Sequence, residues 1–189
     1  MNDVYKIIVP VLASGGIGVF PTDTLYGVVG SALEKKTVER IYGLRDRDLD
    51  KPMIILISSL KDLEIFGIVL SAKQKKSLKK LWPGKVSVVL DCPLKKFQNL
   101  HRGGKTLALR LPDDKNIIKL LKKTGPLVAP SANMAGQKPA ETFYEAQKYF
   151  GDKVDFYINA GKLKSKPSTL VRMDAAGNIT VLREGAVKI

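Results

Sequence analysis

Apolar residues recur at helical spacing across Asp3–Ser14, where Val4, Ile7, Ile8, Val11 and Leu12 share one face, and Gly15-Gly16 closes the segment. The run Ile17–Phe20 is too brief for a helix and predicts a buried strand. Val38, Ile41 and Leu44 predict a helix over Thr37–Leu44, and Met53–Ile57 reads as a second buried strand. Ser71 with Gln74, and Thr142 with Glu145, have the spacing of a capping box. Each predicts a helix start, ahead of Leu78 and Leu81 in one case and Ala146 and Phe150 in the other. Val86–Leu90, Thr106–Leu111, Leu127–Ala129, Phe156–Ile158, Thr169–Met173 and Ile179–Leu182 predict strands, with a helix over Asp113–Lys123 between two of them. Strands interleaved with helices imply the α/β class, with a mixed, partly parallel sheet and flanking helices. No internal repeat or low-complexity linker divides the chain, so a single domain over 1–189 is expected, with Gly161–Pro167 as the candidate mobile loop.

Composition narrows the chemistry. At 189 residues, 44% hydrophobic and 26% charged, the chain can bury a core. No apolar run approaches the roughly 18 to 20 residues that span a bilayer, and the start, MNDVYKIIVP, lacks a secretory pattern, so a cytoplasmic location and no membrane partner are expected. The single cysteine, Cys92, and single histidine, His101, cannot make an internal disulfide, a Cys/His zinc site or a Ser-His-Asp triad with a histidine to spare. No metal-ligand set is expected. Lys+Arg at 32 against Asp+Glu at 18 leaves a net charge of +14, which favours anionic partners such as nucleotides, nucleic acid or phosphorylated substrates. Lysines concentrated in Ser71–Lys85, Lys115–Lys123 and Lys162–Lys166 read as solvated faces and loops.

Two phosphate motifs fail on inspection. Gly103-Gly104-Lys105-Thr106 resembles the end of a Walker A loop, but its leading glycine would fall at Asn99, and TLALRLP after it alternates like a strand. Gly16-Ile17-Gly18 opens like a dinucleotide fingerprint, yet Pro21 holds the third glycine position. What remains is a set of cations, hydroxyls and amides at strand ends. Arg45, Arg47 and Lys51 cluster beside Asp46, Asp48 and Asp50, which fits either an anion site or an internally neutralised loop. In TLALRLP, Leu107, Leu109 and Leu111 share a face, which puts Thr106, Ala108 and Arg110 on the other. Arg110 can offer a bidentate fork to a carboxylate or phosphate, or it can snorkel at a sheet edge. PTDTLYG (Pro21–Gly27) and APSANMAG (Ala129–Gly136) are rich in turn and cap residues that also supply donors and acceptors.

These stretches, in this order, resemble the YrdC-like family of threonylcarbamoyl-adenylate synthases: FPTDTLYGV, RDRDLDKP, LWPGKVSVVL, LALRLP, APSANMAG, KPSTLV and VLREG. The resemblance implies a twisted, mixed α/β sheet around a basic cavity. It also implies conversion of L-threonine, bicarbonate and ATP, the last with Mg2+, to threonylcarbamoyl-AMP and pyrophosphate for N6-threonylcarbamoyladenosine in tRNA. Carried over by position, Arg45, Arg47 and Lys51 are expected at the reacting phosphates; Arg47, Lys51, Thr106, Ser131, Asn133 and Arg183 at ATP; and Thr24, Arg110, Ser168 and Thr169 at threonine. Downstream tRNA threonylcarbamoyltransferase proteins and tRNA itself are the implied macromolecular partners. Arg45 stands where the family has lysine, Leu56 where many relatives have histidine, Lys85 where a proline is usual and Ala135 where a serine is common. An RNA-binding module without catalysis and a carbamoyl-adenylate-forming relative are the competing readings; few aromatic residues, 7% of the chain, are available for base stacking.

Overall fold

The computed structural model describes residues 2–46 and 51–189. Helix α1 (Asn2–Ala13) leads into a hairpin of β1 (Ile17–Pro21) and β2 (Tyr26–Ser31), paired from Ile17↔Gly30 to Pro21↔Tyr26. Strand β2 is not expected from the sequence pattern, because Gly27 and Gly30 are weak strand formers. Close packing explains both glycines: a Cβ on Gly30 would lie 2.5 Å from the Thr37 methyl, and one on Gly27 would lie 3.3 Å from the Pro130 carbonyl oxygen.

Helix α2 (Lys35–Leu44) and strand β3 (Ile54–Leu56) follow, then α3 (Ala72–Leu81), where Ser71 and Gln74 form the expected capping box. Next come β4 (Val86–Asp91), the short α4 (Gln98–His101), β5 (Thr106–Arg110) and α5 (Lys115–Thr124). Asp114 caps α5 by accepting from the N–H groups of Asn116 at 2.7 Å and Ile117 at 2.9 Å. The chain finishes with β6 (Leu127–Val128), α6 (Phe143–Phe150), β7 (Phe156–Tyr157), β8 (Thr169–Met173) and β9 (Ile179–Arg183). At α6 the Thr142 hydroxyl accepts from Glu145 N–H as expected, but the Glu145 carboxylate reaches Glu141 N–H instead of the cap residue.

The nine strands among the described residues form one mixed sheet in the order β7-β1-β2-β6-β3-β5-β4-β8-β9. The pairs β1/β7, β3/β5 and β4/β8 are parallel and the others antiparallel. On one face Ile8 and Leu12 of α1 and Ile117, Leu120 and Leu121 of α5 pack over Phe20, Val29, Leu56 and Leu127. On the other, Val38, Ile41 and Tyr42 of α2, Leu78 of α3, and Ala146 and Phe150 of α6 cover Ile17, Val19, Val28, Ile55, Leu107, Leu109 and Val171. At roughly 1.5–3 kcal/mol per fully buried large apolar side chain, these two layers carry the stability against which any polar site must be set.

Candidate functional site

Helices α1 and α5 cover only part of their face of the sheet. Where they stop, the residues that alternate with the core, Ala108 and Arg110 of β5, Leu170 of β8, Ile54 of β3 and Gly27 of β2, line a cavity of about 170 Å3. Its walls are the β1–β2 turn (Thr22, Thr24, Leu25), the segment 129–131, Pro167 with Ser168, and Arg183. The alternation read in TLALRLP therefore places Leu107 and Leu109 in the core and Arg110 at the cavity.

The hydrogen bonds at Arg110 run in one direction. Its Nη1–H donates to Thr24 Oγ1 at 3.0 Å; the Thr24 and Thr22 hydroxyls are 3.1 Å apart; and the Thr22 hydroxyl donates to Leu25 O at 2.7 Å. The Thr22 oxygen also accepts from the N–H groups of Thr24 and Leu25 at 3.2 Å each, so with its own proton on Leu25 O any bond between the two hydroxyls uses the Thr24 proton. Thr24 Oγ1 then keeps one lone pair for a ligand donor, while Arg110, with five N–H groups, keeps donors for a ligand acceptor. Asp23 lies 3.0 Å from Arg110 Nη2, with both side chains about 5% exposed or less. Burial pushes the Asp23 carboxyl above its ordinary value more than the Arg110 charge pulls it down. Burial likewise draws the Arg110 guanidinium below its ordinary value, and Asp23 opposes this.

Across the cavity, Ser168 and the fully buried Ser87 of β4 share a hydroxyl contact of 2.8 Å, and Arg183 Nη2 donates to Ser168 O at 2.7 Å. Arg183 reaches this position through a bulge. Strand β9 pairs Val181 with Val171 but Arg183, not Leu182, with Leu170. The extra residue turns Arg183 onto the face of Leu170, and strand β9 extends one residue past the expected Leu182. Burial holds the Arg183 guanidinium below its ordinary value.

Several expected site residues stand elsewhere. Thr169 shares the face of Val171 and Met173, away from the cavity; its hydroxyl donates to Val187 O and accepts from Val187 N–H at 3.1 Å, holding the tail segment. Thr106 lies at the opposite end of β5 from Arg110, paired with Asp91. Arg45 is 2% exposed and lies behind the APSANMAG segment, where Nε donates to Asn133 O at 3.0 Å and Nη2 to Asn133 Oδ1 at 3.3 Å. Ser131 lines the cavity and donates to the same Asn133 Oδ1 at 2.6 Å, while Asn133 Nδ2 donates to Met134 O and Gln137 O. Arg45 thus shapes this loop from beneath. Lys51 is exposed next to the lining residue Pro52, and Arg47 lies outside the described residues. Among the described residues, the charged side chains lining the cavity are Arg110 and Arg183, and the first is balanced by Asp23. The candidate loop Gly161–Pro167 is tied by the Tyr26 hydroxyl, which donates to Gly161 O at 2.8 Å, and by Leu163 N–H to Glu141 O at 2.8 Å.

Asp23 and Ser87 are the site residues that sequence reading passes over. Each had a signal: an acid flanked by threonines between two apolar runs, and a lone hydroxyl inside VSVVL. Buried polar groups need partners.

A mixed sheet whose open face gathers an arginine, a hydroxyl-rich hairpin turn and a second arginine around one hollow defines an α/β fold with an arginine-bearing cavity on its sheet. The chain belongs to the Sua5/YciO/YrdC family, described as telomere recombination, whose profile matches residues 10–185. It is 33% identical over 175 residues to the threonylcarbamoyl-AMP synthase of Hahella chejuensis, covering 90% of this chain and 94% of that one. To the threonylcarbamoyl-AMP synthase of Pyrococcus abyssi it is 30% identical over 155 residues, covering 81% of this chain but 45% of that protein, so it spans less than half of the longer relative. The crystal structure of Pyrococcus abyssi Sua5 complexed with L-threonine superposes with a TM-score of 0.89 at 27% identity, covering 98% of this chain and 55% of that one. Escherichia coli YciO, at 22% identity and a TM-score of 0.87 over all of this chain and 92% of its own, shares the fold. The family resemblance and the mixed α/β fold expected from the motifs are thus borne out.

Proposed function

We propose that the protein is an L-threonylcarbamoyladenylate synthase, forming threonylcarbamoyl-AMP and pyrophosphate from L-threonine, bicarbonate and ATP. The reading is carried by one observation: a buried arginine, Arg110, faces with Thr24 into the cavity of a chain whose curated relatives bear this name. Arg110 would receive the threonine carboxylate, and the remaining lone pair of Thr24 its ammonium, with Ser168 beside the side-chain hydroxyl. Once the ammonium has lost a proton to solvent, the amine adds to bicarbonate carbon, and water leaves, giving the carbamate. A carbamate oxygen then attacks the α-phosphorus of ATP as the bond to pyrophosphate breaks. No protein nucleophile is required. Holding two reactants together can supply roughly 7–11 kcal/mol, and cations at the phosphates add charge stabilisation. Arg183, Ser131 and Asn133 are assigned to the nucleotide with Arg47 and Lys51; Thr106, at the far end of β5, is left out of the site. Arg45 acts on it through the loop that it braces. Mg2+ is taken to enter as part of the nucleotide substrate.

Delivery of the product to tRNA threonylcarbamoyltransferase proteins in the cytoplasm, with tRNA contact through exposed lysines such as Lys73, Lys76 and Lys80 on α3, belongs to the same reading. Incubation of the purified protein with ATP, labelled bicarbonate and a panel of amino acids tests it. Pyrophosphate release that depends on threonine, with a product of the mass of threonylcarbamoyl-AMP, is expected. Release indifferent to the amino acid, or RNA binding with no release at all, would refute it.

A further inference from the structure

Arg110 lines the cavity, as do Thr22 and Thr24, whereas Asp23 between them is not part of the lining and lies against Arg110 Nη2 at 3.0 Å. Among the described residues, neither Asp23 oxygen meets a well-aligned donor despite the 3.0 Å approach to Arg110 Nη2, and Arg110 Nε meets no acceptor. The contact is one of charge more than of directed hydrogen bonds, and the guanidinium keeps N–H groups in reserve. The other charges acting on Asp23 are Lys85, which favours the ionised carboxylate, and Asp114, which opposes it. For each partner burial outweighs the mutual attraction, so the pair is a poor source of stability and its use must be sought at the cavity.

We infer that Asp23 is a positioning residue for the amino-acid substrate, acting through Arg110: it holds the guanidinium in place and offsets its charge, so that Arg110 offers oriented N–H donors to a zwitterion without an unopposed positive charge beside the ammonium. The inference rests on the function proposed above. An arginine left uncompensated would still attract a carboxylate, but it would repel the ammonium group a few ångströms away. The pair therefore selects an α-amino acid over the same acid lacking its amino group.

Calorimetric titration of threonine, 3-hydroxybutyrate and ATP into the wild type and the Asp23→Asn variant separates the possibilities. The variant is expected to bind threonine at least tenfold more weakly, 3-hydroxybutyrate no more weakly than the wild type, and ATP within twofold. In Asp23→Ala, added formate is expected to fill the vacated space and restore threonine binding. Threonine affinity within twofold of wild type in Asp23→Asn, proportional loss of threonine and 3-hydroxybutyrate, or loss of the thermal unfolding transition in both variants would overturn the inference, as would failure of formate to rescue. A wild-type protein that ignores threonine would instead overturn the proposed function.

Discussion

Replacing Arg110 with methionine keeps most of the side-chain volume and removes the strongest counter-charge of Asp23 among the described residues. The carboxylate, 5% exposed, is then left in the wall without its partner. Breaking a buried pair in this way costs roughly 3–5 kcal/mol. For a chain of this size, about 2–4 °C is lost per kcal/mol, so the thermal midpoint should fall by about 6–20 °C. Asp23 can escape part of the penalty by taking up a proton, which gives the effect a pH dependence of known sign. Burial already raises its pKa in the folded protein, and removing Arg110, which lowers it, raises it further. The folded state then holds a proton that the unfolded state has released. Stability is greatest below the unfolded-state value and is lost as pH rises through the folded one. The deficit of Arg110→Met relative to wild type should therefore be larger at pH 8 than at pH 5. The double variant Asp23→Leu/Arg110→Met should recover to within about 1 kcal/mol of wild type, because an apolar pair avoids the desolvation of both ions. Urea unfolding followed by circular dichroism at the two pH values supplies the midpoints, with constant slope as the check on two-state behaviour. A double variant as unstable as Arg110→Met, or a deficit that shrinks as pH rises, would refute the reasoning.

Three further perturbations test the 167–169 wall, the start of β1 and the loop that carries Ser131. In Gly185→Ala the new Cβ would lie 2.5 Å from Thr169 N and closer still to Pro167 O, so the 167–169 wall must move; a loss of about 1–3 kcal/mol with a raised threonine KM is expected, and a wild-type melt and KM would contradict it. Asp155 accepts from Ile17 N–H at 2.7 Å and from Arg40, whose bond holds its carboxyl below the ordinary range. Since both side chains are over a third exposed, Asp155→Ala should cost only about 1–2 kcal/mol at pH 7, and that difference should vanish as pH falls through the folded value, measured by urea midpoints at pH 7 and below 4. Asn133→Ala removes the acceptor shared by Arg45 and Ser131, and ATP affinity should fall about tenfold with threonine affinity held, as calorimetry would report; equal loss of both would assign Asn133 to general stability.

Much of the architecture was legible because it is written in local periodicity. Alternation along TLALRLP separates Leu107 and Leu109 from Ala108 and Arg110, and the same parity, applied to TLVRM, puts Thr169 with Val171 and Met173 on the core side. A motif-based assignment of Thr169 to threonine overlooks that parity. Capping chemistry announces α3 and α6. What local pattern cannot carry is the close approach of another element. Strand β2 holds glycines for the sake of Thr37 and Pro130, and one inserted residue at Leu182 reverses the face of Arg183.

The site itself is the least local part of the fold. Thr24 and Arg110 are 86 positions apart, and Arg45 and Asn133 are 88. They meet because the sheet brings the β1–β2 turn to the end of β5 and the end of α2 beneath the segment after β6. A single acid in PTDT and a single hydroxyl in VSVVL each announce that a partner exists, since a buried polar group without one would cost about 1–3 kcal/mol. The strand order names the partner. Arg45 shows the difference in practice: its charge and position in RDRDLDKP suit a phosphate, yet burial and two bonds to Asn133 make it the support of a loop whose Ser131 reaches the cavity. Chemistry assigned to a residue from its type therefore holds only as far as the fold leaves that side chain facing the ligand space.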